Sequence, residues 1–266
     1  MKTHFECIAC FLRQTLDAAR FASDDETLHE TVLRGVLHKV GDMDLHQTPP
    51  MMGAEIHRMI RRLCGHPDPY RGIKDTFNRM ALDWYPDLKN RIQNAPDPLD
   101  MAVRFAIAGN VIDFGARSSL DRQLVAATIE TSLTRPLLGD VNALRNAVER
   151  ADRVLYLGDN TGEIVFDRLL VETLPATKVT FAVRGYPVIN DATMADAEAV
   201  GLTDLVPVID NGSDAPGTVL AECSAEFRKQ FAAADLVIAK GQGNYETLSD
   251  VSKHIFFVLK AKCPVI

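Results

Sequence analysis

The sequence predicts a three-layer α/β/α protein with a Rossmann-like, parallel-type sheet, preceded by an all-helical N-terminal domain. Three observations carry this expectation. From Arg153 onward, short β-rich apolar runs alternate with helical stretches, which is the texture of a parallel sheet covered on both faces. Those runs are uninterrupted instead of alternating, as strands buried on both sides require. Before Arg153, apolar residues recur at three- and four-residue intervals and no strand-like run appears.

Residues 1–150 therefore read as the helical domain and residues 151–266 as the sheet domain. Helix breaks are expected at Ser23 to Asp25, at Thr48-Pro49-Pro50, around Gly65 to Pro69, at Pro86 and at Ala95 to Pro98, where Gly and Pro punctuate the pattern. In the second half, "VLYLG", "KVTFAV", "LVPVI", "DLVIAK" and "HIFFVL" are the expected strands.

Composition narrows the class. With 47% apolar and 24% charged residues in 266, the chain can bury a large core. A formal net charge of -7 argues against a broad nucleic-acid surface, which needs clustered Lys and Arg, but leaves room for a small anionic ligand met by a few local cations. No run approaches the roughly 18 apolar residues of a membrane span, and Glu6, Cys10 and Arg13 interrupt the N-terminus where a signal peptide would be apolar. The expectation is a soluble, cytoplasmic protein with neither nucleic-acid nor membrane partners. The seven histidines show no ligand spacing and read as surface or boundary residues.

The five cysteines are odd in number and scattered, which argues against a disulfide framework. Cys7-x-x-Cys10 would lie on one face of a helix, as two small buried side chains or as a metal or redox pair that Cys263 could complete in space.

The chemistry concentrates where each predicted strand ends. After the first strand comes Asp159-Asn160-Thr161-Gly162-Glu163, after the second "VRGYPVIND" with Arg184 and Asp191, after the third "DNGSDAPGT", and after the fourth "AKGQGNYET" with Lys240, Gly241 and Asn244. In an open parallel sheet these loops converge on one edge, where such folds bind ligands. Thr161 can cap the helix that follows Asp159, and the helix start suits an anion. Asp159 itself repels an anion, so the stretch asks either for a metal together with a phosphate or for a hydroxyl donor such as ribose. Asp159, Asn160 and Asp191 are hard oxygen donors of the kind that hold Mg²⁺, Mn²⁺ or a similar divalent ion. Arg184 and Lys240 supply positive charge, and Gly241 leaves room for phosphate oxygens. From the helical half, "AIAGNVIDFGA" offers Asn110 and Asp113, as a helix C-cap or as a polar pair on an apolar wall.

Together "GDNTGE", "RGYPVIND", "KGQGNYE" and "AGNVIDFG" resemble the damage-control phosphatase family, long catalogued as a domain of unknown function and also linked to a proposed acidic-residue methyltransferase. The resemblance runs nearly end to end, includes the N-terminal CxxC and the closing "KAKCPVI", and is similar to the prokaryotic-type subfamily. It implies a phosphatase dependent on one divalent ion (Mn, Ni, Co or Mg), acting on phosphorylated small metabolites such as sugar or nucleotide phosphates. Carried over, Asp159, Asn160 and Asp191 would bind metal. Lys240, Gly241 and Asn244 would face the phosphate, and Asn110 and Asp113 would border the substrate, with Glu163 and Arg184 beside them. Two other readings remain. One is an S-adenosylmethionine-dependent carboxyl methyltransferase, which would want an acidic ribose ligand where this chain has Val183-Arg184. The other is a non-catalytic metal or redox module on Cys7 and Cys10, which leaves the four polar loops unexplained.

Overall fold

The computed structural model describes residues 1–110 and 122–266, without the side chains of 122–125 and 128. Helices α1 (Phe5–Ala22), α2 (Glu26–Gly41) and α3 (Pro49–Cys64) pack around a core of their own that includes Phe11, Val32, Val36, Met52 and Ile56. Their ends follow local chemistry. Asp25 caps α2 by accepting the Thr27 N–H at 2.9 Å. Pro49 opens α3, where a missing N–H is harmless, and Gly65 closes it in the left-handed region at φ 63°.

The expected break at Pro86 does not occur, and α4 (Arg71–Gln93) runs through it. Proline removes one backbone hydrogen bond from a helix. Phe77 and Ala81 before it, and Leu88 and Ile92 after it, are buried in the same core, and that shared burial keeps both halves in line. Then follow α5 (Pro98–Gly109), α6 (Arg122–Thr134) and α7 (Val141–Arg150).

All five expected strands form: β1 (Val154–Leu157), β2 (Val179–Val183), β3 (Val208–Asp210), β4 (Leu236–Lys240) and β5 (Ile255–Val258). Between them lie α8 (Glu163–Val171), α9 (Met194–Ala199), α10 (Ala225–Ala233) and α11 (Gly241–Leu248). The sheet is parallel throughout, in the order β3-β2-β1-β4-β5. The chain winds outward from β1 through β2 to β3, then returns to start β4 on the other side of β1. That reversal opens a crevice at the carboxyl ends of β1 and β4.

Strand side chains alternate between two cores, which gives the three layers. Val154 and Tyr156 face the core shared with α4, α5 and α8, while Leu155 and Leu157 face a smaller one with Phe227 and Phe231 of α10. The larger core crosses from the helical half into the sheet. Gly109 at the end of α5 lets the Phe166 ring of α8 approach so closely that a Cβ there would lie 2.8 Å from it. Burying a side chain such as Phe166 contributes roughly 2–3 kcal/mol. Among the described residues no helix is long and apolar enough to cross a membrane.

Two polar struts join the helical half to the sheet loops. On α3, Arg58 Nε donates to Asp214 Oδ1 at 2.9 Å, Arg61 also pairs with Asp214, and Arg61 Nη1 reaches the Pro187 carbonyl at 2.7 Å. On α4, buried Asn78 accepts the Gly162 N–H at 2.8 Å and donates to buried Asp196 of α9 at 3.1 Å, with Lys74 and Arg71 paired to the same carboxylate.

His57 corrects the expectation that the histidines lie at the surface. It is 2% exposed beneath Tyr70, and burial, with the Arg61 charge adding and Asp214 opposing, pushes it down to about 3. The unfolded chain takes up a proton near pH 6.5 and the folded one does not, so this stability is complete above that pH and drains as pH falls toward 3. Replacing His57 by Gln should flatten the acid limb of the stability profile. Denaturant titrations should show the advantage of wild type over His57→Gln shrinking by roughly 2 kcal/mol between pH 7 and pH 5.

Candidate active site

Strand register places the site. Leu157 pairs with Ala182 on one side and Ala239 on the other, so Asp159, Arg184 and Lys240 emerge along one edge. The first loop is held by backbone bonds to the second: Thr161 N–H donates to Asn190 O at 2.9 Å and Ala192 N–H to Asp159 O at 2.8 Å, setting Asn160 opposite Asp191. The second loop passes through Ile189 at φ 44°, a left-handed position costing a β-branched residue of order 1–3 kcal/mol. That strain sits directly before Asn190 and Asp191.

Asp159, Asn160 and Asp191 are all buried and adjacent, as the sequence suggested. Arg184, also buried, donates from Nε to Asp191 Oδ2 at 2.6 Å and from Nη2 to Asp159 Oδ1 at 3.5 Å. Glu163 is fully buried and collects three donors: Asn110 Nδ2 at 2.7 Å and Asn160 Nδ2 at 3.0 Å on Oε2, and Lys240 Nζ at 2.5 Å on Oε1. With its amide nitrogen committed to Glu163 and to Asp159 Oδ2 at 2.7 Å, Asn160 presents its oxygen elsewhere. The Asn110 oxygen is buried with no partner among the described residues. Asp113 lies outside the described residues.

Lys240 points inward. Its ammonium is wholly buried against Glu163, Asp167 Oδ1 at 2.8 Å and the Ala106 carbonyl at 2.9 Å. Burial would lower it, yet Asp167 and Glu163 outweigh that and hold it above its ordinary value. Asp167 is pushed up to about 7 by burial, with the Lys240 charge opposing and Glu163 adding, and it also accepts the Tyr156 hydroxyl at 2.9 Å.

Asn244 braces the strand ends. Its Nδ2 donates to the carbonyls of Lys240 at 2.7 Å and Gly158 at 3.2 Å, and its Oδ1 accepts from Thr218 at 2.7 Å and Arg184 at 3.4 Å. Gly241 is required sterically. At φ 75°, a Cβ there would stand 1.8 Å from Asp159 Oδ2. Thr161 does not cap α8: Gly162 takes the N-cap position, its N–H goes to Asn78, and the Thr161 hydroxyl is buried with no partner among the described residues.

The electrostatics favour a cation. Burial, then the nearby Glu163 and Asp191 charges, push the Asp159 carboxyl well above the usual carboxylate range, against Arg184 and Lys262. Among the described residues no group of three or more His, Cys, Asp or Glu is placed to hold a metal. The expected set is instead two carboxylates and an amide oxygen, a hard mixed donor set that fits a divalent ion with open positions. The cysteines are all free, with Cys7, Cys10 and Cys263 half-buried.

Sequence reading missed Lys262, Asp167, Thr218 and Asn78. Asp167 left a signal, a second carboxylate four residues after Glu163 on the otherwise apolar helix "EIVFDRLLV". Thr218 ends the polar stretch "DNGSDAPGT" after the third strand but was not singled out within it, and Asn78 left no signal, being an ordinary polar residue on a distant helix.

A doubly wound sheet with buried carboxylates, an amide and an arginine at its switch point defines a small-molecule enzyme of the Rossmann-like class. The chain matches the damage-control phosphatase ARMT1-like domain over residues 3–266, and it belongs to that family. It is 37% identical to the uncharacterised protein MJ0202 of Methanocaldococcus jannaschii, over 97% of this chain and 88% of that one. It is 33% identical to the damage-control phosphatase PH1575 of Pyrococcus horikoshii, over 100% of this chain and 93% of that one. The crystal structure of that DUF89 family protein, PH1575, superposes with a TM-score of 0.89, at 32% identity over 99% of this chain and 93% of the other. Membership supports a phosphatase-type enzymatic activity on small metabolites.

Removing Lys240 strands two buried carboxylates. Lys240→Met should lower unfolding free energy by about 3–5 kcal/mol, and adding Asp167→Asn should restore part of it. Equilibrium denaturation of both variants measures this. Gly241→Ala should displace the Asp159 carboxylate from the amides of Asn160 and Asn110, lowering unfolding free energy by roughly 1–3 kcal/mol in the same denaturation series.

Proposed function

We propose that the protein is a divalent-metal-dependent phosphatase that hydrolyses phosphate esters of small, side-product or damaged metabolites, with sugar and nucleotide phosphates as the substrate class. The observation that carries this is the buried Asp159, Asn160 and Asp191 set at the sheet edge, with Arg184 against both carboxylates. The family relatives and the motifs "GDNTGE", "RGYPVIND" and "KGQGNYE" support it.

In this reading Asp159, Asn160 and Asp191 hold one ion, Mn, Ni, Co or Mg. Bound there, the ion supplies Lewis-acid polarisation of a phosphoryl oxygen. Asp159, whose carboxyl burial holds high, would have to be ionised to serve as a ligand, so metal affinity should rise with pH. Glu163 keeps the Asn160 oxygen turned toward the ion by holding its nitrogen. Arg184 orients Asp191 and lends charge to the site. Lys240 positions Glu163 from behind, and Lys262, whose charge acts on Asp159, is the further cation assigned to the substrate. Gly241 gives the phosphate room, Asn244 fixes Arg184, and Asn110, whose oxygen has no partner among the described residues, faces the substrate, a role that the family motif also assigns to Asp113. Five free cysteines suit a cytoplasmic enzyme, and Cys7-x-x-Cys10 suits the prokaryotic-type subfamily.

The test is a matrix of metals against p-nitrophenyl phosphate and a panel of sugar and nucleotide phosphates. Wild type should hydrolyse only with a divalent ion present. Asp159→Ala and Asp191→Ala should stay folded by circular dichroism and lose hydrolysis by at least a hundredfold. Wild-type turnover in either variant, or methyl transfer from S-adenosylmethionine in place of hydrolysis, would overturn the reading.

A further inference from the structure

Two carboxyl groups share one ammonium behind the candidate site, and they are unequally provided for. Glu163 receives donors on both oxygens: Lys240 at 2.5 Å on Oε1, and Asn110 at 2.7 Å and Asn160 at 3.0 Å on Oε2. Asp167, one turn later on α8 and equally shut off from water, has both of its partners on one oxygen, with Lys240 Nζ 2.8 Å and the Tyr156 hydroxyl 2.9 Å from Oδ1. Its Oδ2 is buried with no partner among the described residues. A carboxylate spreads its charge over both oxygens, so a dry, bare oxygen is costly to it. A carboxylic acid accepts through its carbonyl oxygen and keeps its proton on the other. The donor pattern therefore marks Glu163 as the ionised partner of Lys240 and Asp167 as the neutral one.

The surroundings agree. Lys240 faces Asp167 from β4, Tyr156 from β1 and Glu163 from α8 itself, while from α5 the Ala106 carbonyl holds the same ammonium at 2.9 Å. From α4, neutral Asn78 meets the start of α8, and Tyr85 and Lys89 meet Glu172 beyond its other end. Burial pushes the Asp167 carboxyl up to about 7, with the Lys240 charge opposing and Glu163 adding. Charge balance points the same way. With every group ionised, buried Asp159, Glu163, Asp167 and Asp191 against buried Lys240 and Arg184 leave four less two, an excess of two negative charges among the described residues. Protons can cover that excess, and so can one divalent ion.

We propose that Asp167 is a buried proton site in the ion-free protein, and that a divalent ion loading at Asp159, Asn160 and Asp191 drives its proton out to solvent. The O–H bond at Oδ2 breaks, its electron pair stays on the carboxylate, and the proton passes to water. Lys240 then lies between two anions, and its hold on Glu163 is shared with Asp167. Asp167 is a positioning residue: its partners are Lys240 and Tyr156, and it reaches Asn160 through Lys240 and Glu163. The coupling to ion loading rests on the metal-dependent reading, whereas the proton site does not.

Infrared difference spectra of the ion-free protein, wild type minus Asp167→Asn, read the carboxyl carbonyl stretch directly. On the acid side of neutrality the difference should show a protonated-carboxyl band, which fades as pH rises through neutrality. Asp167→Asn keeps the Oδ1 acceptor and should stay folded by circular dichroism. Tyr156→Phe retains the acid but removes a bond that favours its ionised form, so its band should persist to higher pH. A difference spectrum without that band, or a Tyr156→Phe band that fades at the same pH as in wild type, overturns the proton site. MnCl2 is then titrated calorimetrically on the acid side of neutrality, in buffers of different ionisation enthalpy. Wild type should release about half to one more proton per bound Mn²⁺ than Asp167→Asn. Equal release with Mn²⁺ bound overturns the coupling alone. Absence of Mn²⁺ binding in wild type overturns both the metal-dependent reading and the coupling, and the infrared band still decides the proton site.

Discussion

A carboxylate with no access to water organises this molecule. Glu163 sits at the first position of α8 with an ammonium on one oxygen and two amide nitrogens on the other. An unpaired buried carboxylate would cost several kcal/mol, so each of those donors is needed, and each comes from a different place. Lys240 belongs to the end of β4, Asn110 to the end of α5, and Asn160 to the loop after β1. Satisfying one side chain therefore fixes three elements relative to each other. The same arrangement decides which atom of Asn160 remains for a ligand.

The helical half acts on this centre mainly through side chains that hold the site loops. Asn78 occupies the Gly162 N–H that begins α8, and its other end rests on Asp196, which closes the capping box of α9 just after Asp191. One amide on α4 thus sets the spacing of the two loops that carry the acidic residues. The Arg58 and Arg61 pairs with Asp214 do the same for the loop after β3. The helices are then a template for the loops as well as a cover for the sheet.

Much of this was legible in the sequence, for identifiable reasons. The strands were readable because runs such as "VLYL" and "LVIAK" are buried on both faces and cannot alternate. Asp159, Asn160, Asp191 and Arg184 were readable because strand ends in a parallel sheet share an edge. What the sequence could not reveal is where a long side chain goes once it leaves its Cα. Lys240 and Asn244 stand where a phosphate ligand would be sought, but their polar atoms turn toward Glu163, Asp167 and strand carbonyls. Pro86 illustrates the same limit, since local chemistry says stop while burial on both sides carries the helix through. Asn78 and Thr218 act over separations of 84 and 26 residues, which no local pattern encodes.

Arg184 carries a consequence for how the site fills and empties. Its guanidinium already lies against Asp191 and Asp159, so the ligand set comes with a counter-ion of its own. Under the proposed function an arriving cation would have to share or displace that guanidinium, which would close on the carboxylates again when the ion left. In the proposed metal-dependent reading the site would behave as an exchanger: loading would be a contest between a fixed cation and a mobile one, and selectivity among divalent ions would depend on which of them outcompetes an arginine, beyond which fits the oxygens best.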